Sequence, residues 1–267
     1  MKSGKIIFCA LFTLTFLTGL TAQANALTVD LALVLAVDVS GSVDATEFNL
    51  QRQGYVDAFN NASIVSAIEN GDNGAIAVSL VYWANSQELA VDWSLINDTA
   101  SSQAFATKIN NAARPDPNTL GTQTGLGTAI TYSSGLFTNL FIADSQELFD
   151  APRWVIDVSG DGTRSFGEDP DVARDNALAA GVDTINGLPI INDIPTLLSY
   201  YQDNVIGGAG AFAISAADYN TFGNSVEDKI LFEVTGDRPG GVVPEPATMF
   251  LFGIGSIFGS VTMRRKR

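Results

Sequence analysis

Leu31-Ala32-Leu33-Val34-Leu35-Ala36-Val37-Asp38-Val39-Ser40-Gly41-Ser42 is the stretch that decides the fold. A strand with one wet face alternates apolar and polar residues. An unbroken apolar run instead suits a strand buried on both faces, as in parallel sheets covered by helices. The run delivers Asp38 at its carboxyl end, followed by two hydroxyls at alternate positions, with Gly41 giving the loop freedom to turn tightly between them.

Outward from there the chain alternates. Residues 44–60 read as a helix, with Phe48, Tyr55 and Phe59 on one face. Residues 75–83 read as a second strand, and residues 89–93 as a short antiparallel edge beside it. Helical patterns follow over 101–113 and 124–140, and Arg153-Trp154-Val155-Ile156-Asp157-Val158 opens a third buried strand. Beyond it come a helix over 171–180, a strand over 182–185, a helix over 194–204, a last strand over 211–215 and a helix over 216–232. This order predicts an α/β domain over residues 27–241, doubly wound, with a mostly parallel central sheet and helices on both faces. In such sheets ligands bind beyond the carboxyl ends of the strands.

The chain of 267 residues has no histidine, which removes His-based general base catalysis and His-ligated zinc or haem. A Ser-His-Asp triad is therefore impossible, and no Gly-x-Ser-x-Gly elbow occurs. A Ser–Lys dyad would have to draw on Lys108 or Lys229, the only lysines between the two terminal signals, and neither lies in a catalytic-looking context. The sole cysteine, Cys9, lies in the first apolar run, so a product lacking that run has no disulfide, iron–sulfur cluster or catalytic thiol. These exclusions point to a protein that is not an enzyme.

Both ends read as targeting signals. Residues 1–26 carry Lys2 and Lys5, an apolar stretch and Ala24-Asn25-Ala26, the order of a cleavable signal peptide. Residues 242–267 hold Pro244-Glu245-Pro246, a short apolar run over 248–263 and Arg264-Arg265-Lys266-Arg267, whose cluster would stay cytoplasmic if the run spans a membrane. Without these ends 8 basic and 28 acidic residues remain, a net charge near −20. Such a field repels phosphate backbones, so no nucleic-acid partner is expected, and it attracts cations.

Three loops gather hard oxygens: Asp38, Ser40 and Ser42 after the first strand, Thr122 and Thr124 in Gly121-Thr122-Gln123-Thr124-Gly125, and Asp157 through Asp161 after the third. Oxygen donors without nitrogen or sulfur suit Mg²⁺ first, with Ca²⁺ or Mn²⁺ also accommodated, and two carboxylates with three hydroxyls leave a coordination shell incomplete. Residues 157–168 also match the spacing of an EF-hand loop, but the segment entering it is β-branched and aromatic, a strand where that motif needs a helix.

The DxSxS loop, the Thr122 loop and the strand followed by Ser159-Gly160-Asp161-Gly162 resemble the metal-ion-dependent adhesion site of von Willebrand factor A-type domains. The resemblance extends over about residues 29–236, toward a bacterial branch of uncharacterised function. It implies one divalent cation on Asp38, Ser40, Ser42, Thr122 and Asp161, with Thr124 the alternative in the middle loop. It also implies an adhesion module whose acidic protein or matrix ligand completes the metal shell; the alternatives are a structural matrix protein in which the metal stabilises the loops and, less favoured, a metal-assisted hydrolase. The tail resembles the PEP-CTERM sorting signal of Gram-negative bacteria. That likeness makes Pro244, Glu245 and Pro246 processing residues for an exosortase, with transient inner-membrane anchoring before display at the cell surface or release.

Overall fold

The computed structural model describes residues 26–236. The expectations for the signal peptide and for the sorting segment, including Pro244, Glu245 and Pro246, lie outside the described residues.

A six-stranded sheet forms the centre. In spatial order its strands are β4 (Gln87–Ile96), β3 (Ile76–Trp83), β2 (Leu31–Asp38), β7 (Trp154–Gly160), β8 (Thr184–Pro189) and β9 (Gly207–Gly208). The four inner strands run parallel, and antiparallel β4 and β9 close the two edges. Every residue of β2 and β3 is buried, as the apolar runs predicted.

The two-residue period of β2 splits its side chains between two helical layers. Leu31, Leu33, Leu35 and Val37 pack with Phe48, Tyr55 and Phe59 of α1 (Ala45–Asn60), with α2 (Ala62–Glu69) and α3 (Thr99–Asn111), and with Phe222, Val226 and Ile230 of α8 (Phe222–Thr235). Ala32, Val34 and Ala36 pack on the opposite side with α5 (Leu126–Leu136), α6 (Pro170–Ala179) and α7 (Leu197–Asn204). Helices thus cover both faces of the sheet. A small second sheet, β1 (Leu27–Thr28) with β6 (Glu147–Asp150) and β5 (Phe141–Ile142), adjoins the amino ends of the strands, where Val29 N–H donates to the carbonyl of Asp150.

Local chemistry explains the element ends. Asp44 caps α1 by accepting from the amides of Thr46 and Glu47, while the Glu47 side chain accepts from the Asp44 amide, a reciprocal capping box. Asn61 ends α1 and caps α2, so the pattern turns a corner that apolar spacing alone does not mark. Among the described residues, two further differences from the sequence reading stand out. Residues 211–215 make one isolated bridge to β8, Ala213 with Gly187, followed by one from Ala216 to Ile190 just past that strand, and the last described helix begins at Phe222, six residues later than expected. A turn tied by Asp218 and Thr221 occupies the interval.

Helices α1 and α8 approach closely at Gly54. A Cβ built there would lie 3.0 Å from the Phe222 ring and 3.1 Å from the Gly223 Cα. Phe222 stacks edge-on against Tyr55, with ring centroids 5.6 Å apart, and is fully buried. Truncation leaves a cavity between two helices already at minimum separation. Phe222→Ala is therefore expected to destabilise the domain by about 3–5 kcal/mol, read as a lower urea midpoint at unchanged slope.

Candidate metal centre

The strand order reverses between β2 and its two neighbours, β3 on one side and β7 on the other, and the crevice at such a switch point is where open α/β sheets bind ligands. Asp38 ends β2 there and Asp161 follows β7 by one residue.

Peptide hydrogen bonds hold the Asp38 loop from every side. Ser40 N–H donates to Asp38 Oδ1 at 2.8 Å, and Val43 N–H returns to the Ser40 carbonyl. Gln51 Nε2 donates to the Asp38 carbonyl at 3.1 Å, and the Arg114 guanidinium reaches the carbonyls of Val39, Ser40 and Val43 from behind. Gly41 N–H donates to the Thr122 carbonyl at 2.8 Å, which joins the first loop to the middle loop. Asn85, just past β3, bonds Gln123 through both its backbone and its side chain and fixes the other flank of that loop.

The third loop closes the group. Ser42 Oγ donates to Asp161 Oδ1 at 2.7 Å across 119 residues of sequence, and Ser40 and Ser42 hydroxyls lie 3.2 Å apart. Gly160 passes so close to Asp38 that a Cβ would sit 2.8 Å from its Oδ2, a contact only glycine avoids. The site grades outward, with Asp38 and Ser40 buried, Asp161 half-buried, and Ser42 and Thr122 exposed.

Asp38 Oδ2 is buried without a hydrogen-bond partner. Burial, and next the charge of Asp161, push the Asp38 carboxyl up to about 8. A buried carboxylate with one oxygen unpaired, facing a second carboxylate and two hydroxyls, is an arrangement that a cation would relieve. The donors are all oxygen, so the set fits a hard divalent ion. Among the described residues no three His, Cys, Asp or Glu side chains cluster as metal ligands, so any ion here must rely on two carboxylates and neutral hydroxyls.

Asp38, Ser40, Ser42 and Asp161 come together at this edge. Both threonines of the middle loop also face this edge. The Thr122 Cβ lies 3.0 Å from where a Gly41 Cβ would stand, and Thr124 Oγ1 lies 3.2 Å from the corresponding point of Gly162. Thr124 is buried and its backbone is engaged by Ser165 and Phe166, whereas Thr122 is exposed beside the DxSxS loop.

Asp157 does not join them. It lies within β7, opposite Leu35 in register, and turns into the helical layer beneath the sheet, where Lys229 Nζ stands 2.5 Å from its Oδ1. Glu168 accepts from Thr131 at 2.6 Å, so the two ends of the EF-hand-like spacing serve different places. Asp169 occupies the N-cap position before Pro170 but pairs with Arg164 at 2.5 Å rather than with helix amides.

Two tyrosines at the site stand outside the five-residue set read from the sequence. Tyr219, in the turn before α8, donates to Asp161 Oδ2 at 2.9 Å. Tyr201 is fully buried and its hydroxyl would lie 3.0 Å from a Gly160 Cβ; burial, and next the charge of Asp38, raise its pKa well above the ordinary phenol range. Neither stands at a spacing from the aspartates that a pattern could detect.

The fold is that of von Willebrand factor A-type domains. Proximal thread matrix protein 1 from the mussel byssus, solved with a zinc-occupied MIDAS motif, matches with a TM-score of 0.52 and 13% identity over 79% of this chain and 49% of its own. A von Willebrand factor type A structure from Catenulispora acidiphila gives 0.52 and 13% over 77% and 43%. The pilus adhesin SpaC from Lactobacillus rhamnosus GG gives 0.52 and 12% over 78% and 31%. The chain thus spans half or less of the length of each of these structures. No curated protein matches it. Residues 242–267 match the PEP-CTERM protein-sorting motif. Residues 28–238 match the family described as protein of unknown function DUF1194, and the chain belongs to that family.

Proposed function

We propose that this chain is an exported binding module of the bacterial surface or matrix that captures an acidic protein or matrix ligand through one divalent cation. Asp38, Ser40, Ser42, Thr122 and Asp161 hold the ion, Mg²⁺ in the first place. The observation that carries this reading is the meeting of Ser42 and Asp161 at 2.7 Å beside the unpaired Oδ2 of Asp38. When bound, the cation supplies an open coordination position for a ligand carboxylate.

The chain's own residues do the rest. Asp38, once ionised, and Asp161, steadied by Tyr219, would supply the two carboxylates that hold the ion. Ser40 and Ser42 contribute hydroxyls from a loop that Arg114 and Gln51 keep from shifting. The exposed rim at Ser42 and Thr122 leaves the outward side free for a partner.

The sorting motif supports export, with residues 1–26 as the leader and residues 242–267 as the segment that an exosortase processes at Pro244-Glu245-Pro246 after transient inner-membrane anchoring. Among the described residues no helix is long and apolar enough to cross a membrane. A byssal matrix protein and a pilus adhesin among the structural neighbours are in keeping with a binding or structural role rather than an enzymatic one.

Titration calorimetry with Mg²⁺, and with Mn²⁺, Ca²⁺ and Zn²⁺ for comparison, is expected to give one site per chain. Asp38→Ala should abolish that heat and Ser40→Ala weaken it, both with unchanged far-UV circular dichroism; undiminished affinity in both variants would reject the site.

The raised Asp38 pKa sets a pH dependence. In the unfolded chain this carboxyl ionises near pH 4, at about the ordinary aspartate value. Between there and about 8 the folded, cation-free protein holds more protons than the unfolded one, so Asp38 makes its stability fall as pH rises through that window. Because the cation displaces the proton, Mg²⁺ should raise the melting temperature more at about pH 8 than at about pH 6. An equal or smaller gain at the higher pH would count against Asp38 as a ligand.

Intact-mass measurement of material exported by the native host should show a C-terminus near Pro244-Glu245-Pro246. Full-length mass through Arg267 in that fraction would contradict processing.

A further inference from the structure

Lys229 of α8 is fully buried, a placement that lysine adopts only with compensation. Its Nζ lies 2.5 Å from Asp157 Oδ1 and 2.6 Å from Glu233 Oε1, and all three side chains are sealed from solvent. Asn186 of β8, the register partner of Asp157, donates to the same Glu233 oxygen at 2.9 Å, while its own oxygen accepts from the Phe212 amide at 3.1 Å. The Phe212 ring flanks the ammonium at 5.7 Å. Glu233 Oε2 is buried and accepts no hydrogen bond. The metal centre uses none of these groups, since Asp157 and Asp38 turn to opposite faces of the sheet.

A buried amine in contact with a carboxyl carbon's oxygen, a second carboxylate on the same amine and no water between them are the ingredients of an amide condensation. We propose that Lys229 and Asp157 form an intramolecular isopeptide bond, with Glu233 as the proton shuttle. A low-dielectric site disfavours the charge-separated pair, so an Nζ proton passes to Asp157 and leaves a neutral amine beside a carboxylic acid. Burial pushes Asp157 up to about 7 despite the pull of Lys229, in the direction this transfer needs. The Nζ lone pair then attacks Asp157 Cγ and forms the C–N bond, and Glu233 takes one of the two remaining Nζ protons. When the tetrahedral centre collapses, its C=O re-forms and the Cγ–OH bond breaks. Glu233 returns its proton to the departing hydroxyl, which leaves as water. Ammonium plus carboxylate has become amide plus water, and Glu233 ends ionised as it began. No oxidant, reductant or other reactant enters.

The bond would join β7, whose end leads into the Asp161 loop, to α8, the last helix among the described residues. The test is mass spectrometry of the full chain, folded, then denatured and digested with trypsin. Residues 154–164 should be recovered only joined to the fragment carrying Lys229, uncleaved at that lysine, with the pair lighter by one water than the two sequences together. Glu233→Gln should lose that species and release residues 154–164 as a free peptide, with an unchanged circular dichroism spectrum. Recovery of free 154–164 from folded wild-type protein, with trypsin cutting after Lys229, would overturn the proposal without reference to any variant. Full linkage persisting in Glu233→Gln would overturn the shuttle role.

Discussion

The structure depends on a carboxylate carried out of water by a strand that is apolar on both faces. Burying an ionised carboxylate costs several kcal/mol unless partners compensate, and Asp38 has a peptide N–H on one oxygen only. The half-compensation is built in, because hydrogen bonding from Ser40 and the Asp161 peptide offsets only part of the burial, while other neighbours bind the loop backbone. Gln51 and Arg114 take the loop carbonyls and Gly41 ties to Thr122, so the loop cannot relax to satisfy Oδ2. With Asp161 adding a second negative charge nearby, the folded chain stores an unmet demand for positive charge at the switch point of its sheet. The surplus of acidic residues works in the same direction, since a field of that sign concentrates cations around the domain.

The β7 aspartate meets the same problem with the opposite solution. Asp157 also leaves water on a central strand, but an amine from α8 neutralises it within a closed layer of helices. The sheet keeps the two carboxylates apart. Alternation sends Asp38 toward the face of α5, α6 and α7 at an edge that opens to solvent, and Asp157 toward α1 and α8 beneath continuous packing. One carboxyl is poised for an exchangeable partner and the other for a permanent one, and a two-residue period is what separates them.

That period also explains what the sequence disclosed. The runs at β2, β3 and β7 declared themselves because burial on both faces leaves no polar residue to confuse the reading, and Asp44 with Glu47 marked the start of α1 by a reciprocal cap. The DxSxS loop was legible because three donors lie within five residues. Asp157 was misread as a donor at the strand end because its face is set by register with β2, and its partner Lys229 lies on a helix that spacing cannot bring near. Tyr219 escaped notice for a related reason: residues 216–221 continue the helical pattern in sequence, but Asp218 and Thr221 prefer to bond one another, and the turn they make swings the tyrosine onto Asp161. Residues 211–215 looked like a strand because they are small and apolar, yet they meet β8 only at one isolated bridge, and β9 has already taken the antiparallel pairing with Thr184 and Ile185.

The placement of α8 ties these observations together. The helix follows the turn that carries Tyr219 to the candidate metal centre, its first turns press Phe222 and Val226 against α1, and its later turns carry Lys229 and Glu233 to the underside of β7. The turn before α8 and the helix itself thus reach both buried carboxylate sites, one each. Lys229 with Asp157 and Glu233 with Asn186 span helix and sheet at two successive turns, so α8 is fixed to β7 and β8 by buried polar contacts as well as by apolar packing. The last helix among the described residues is thus fixed to the strand that leads directly to Asp161, which couples the candidate ligand-binding loop to the buried Lys229 cluster beneath the sheet.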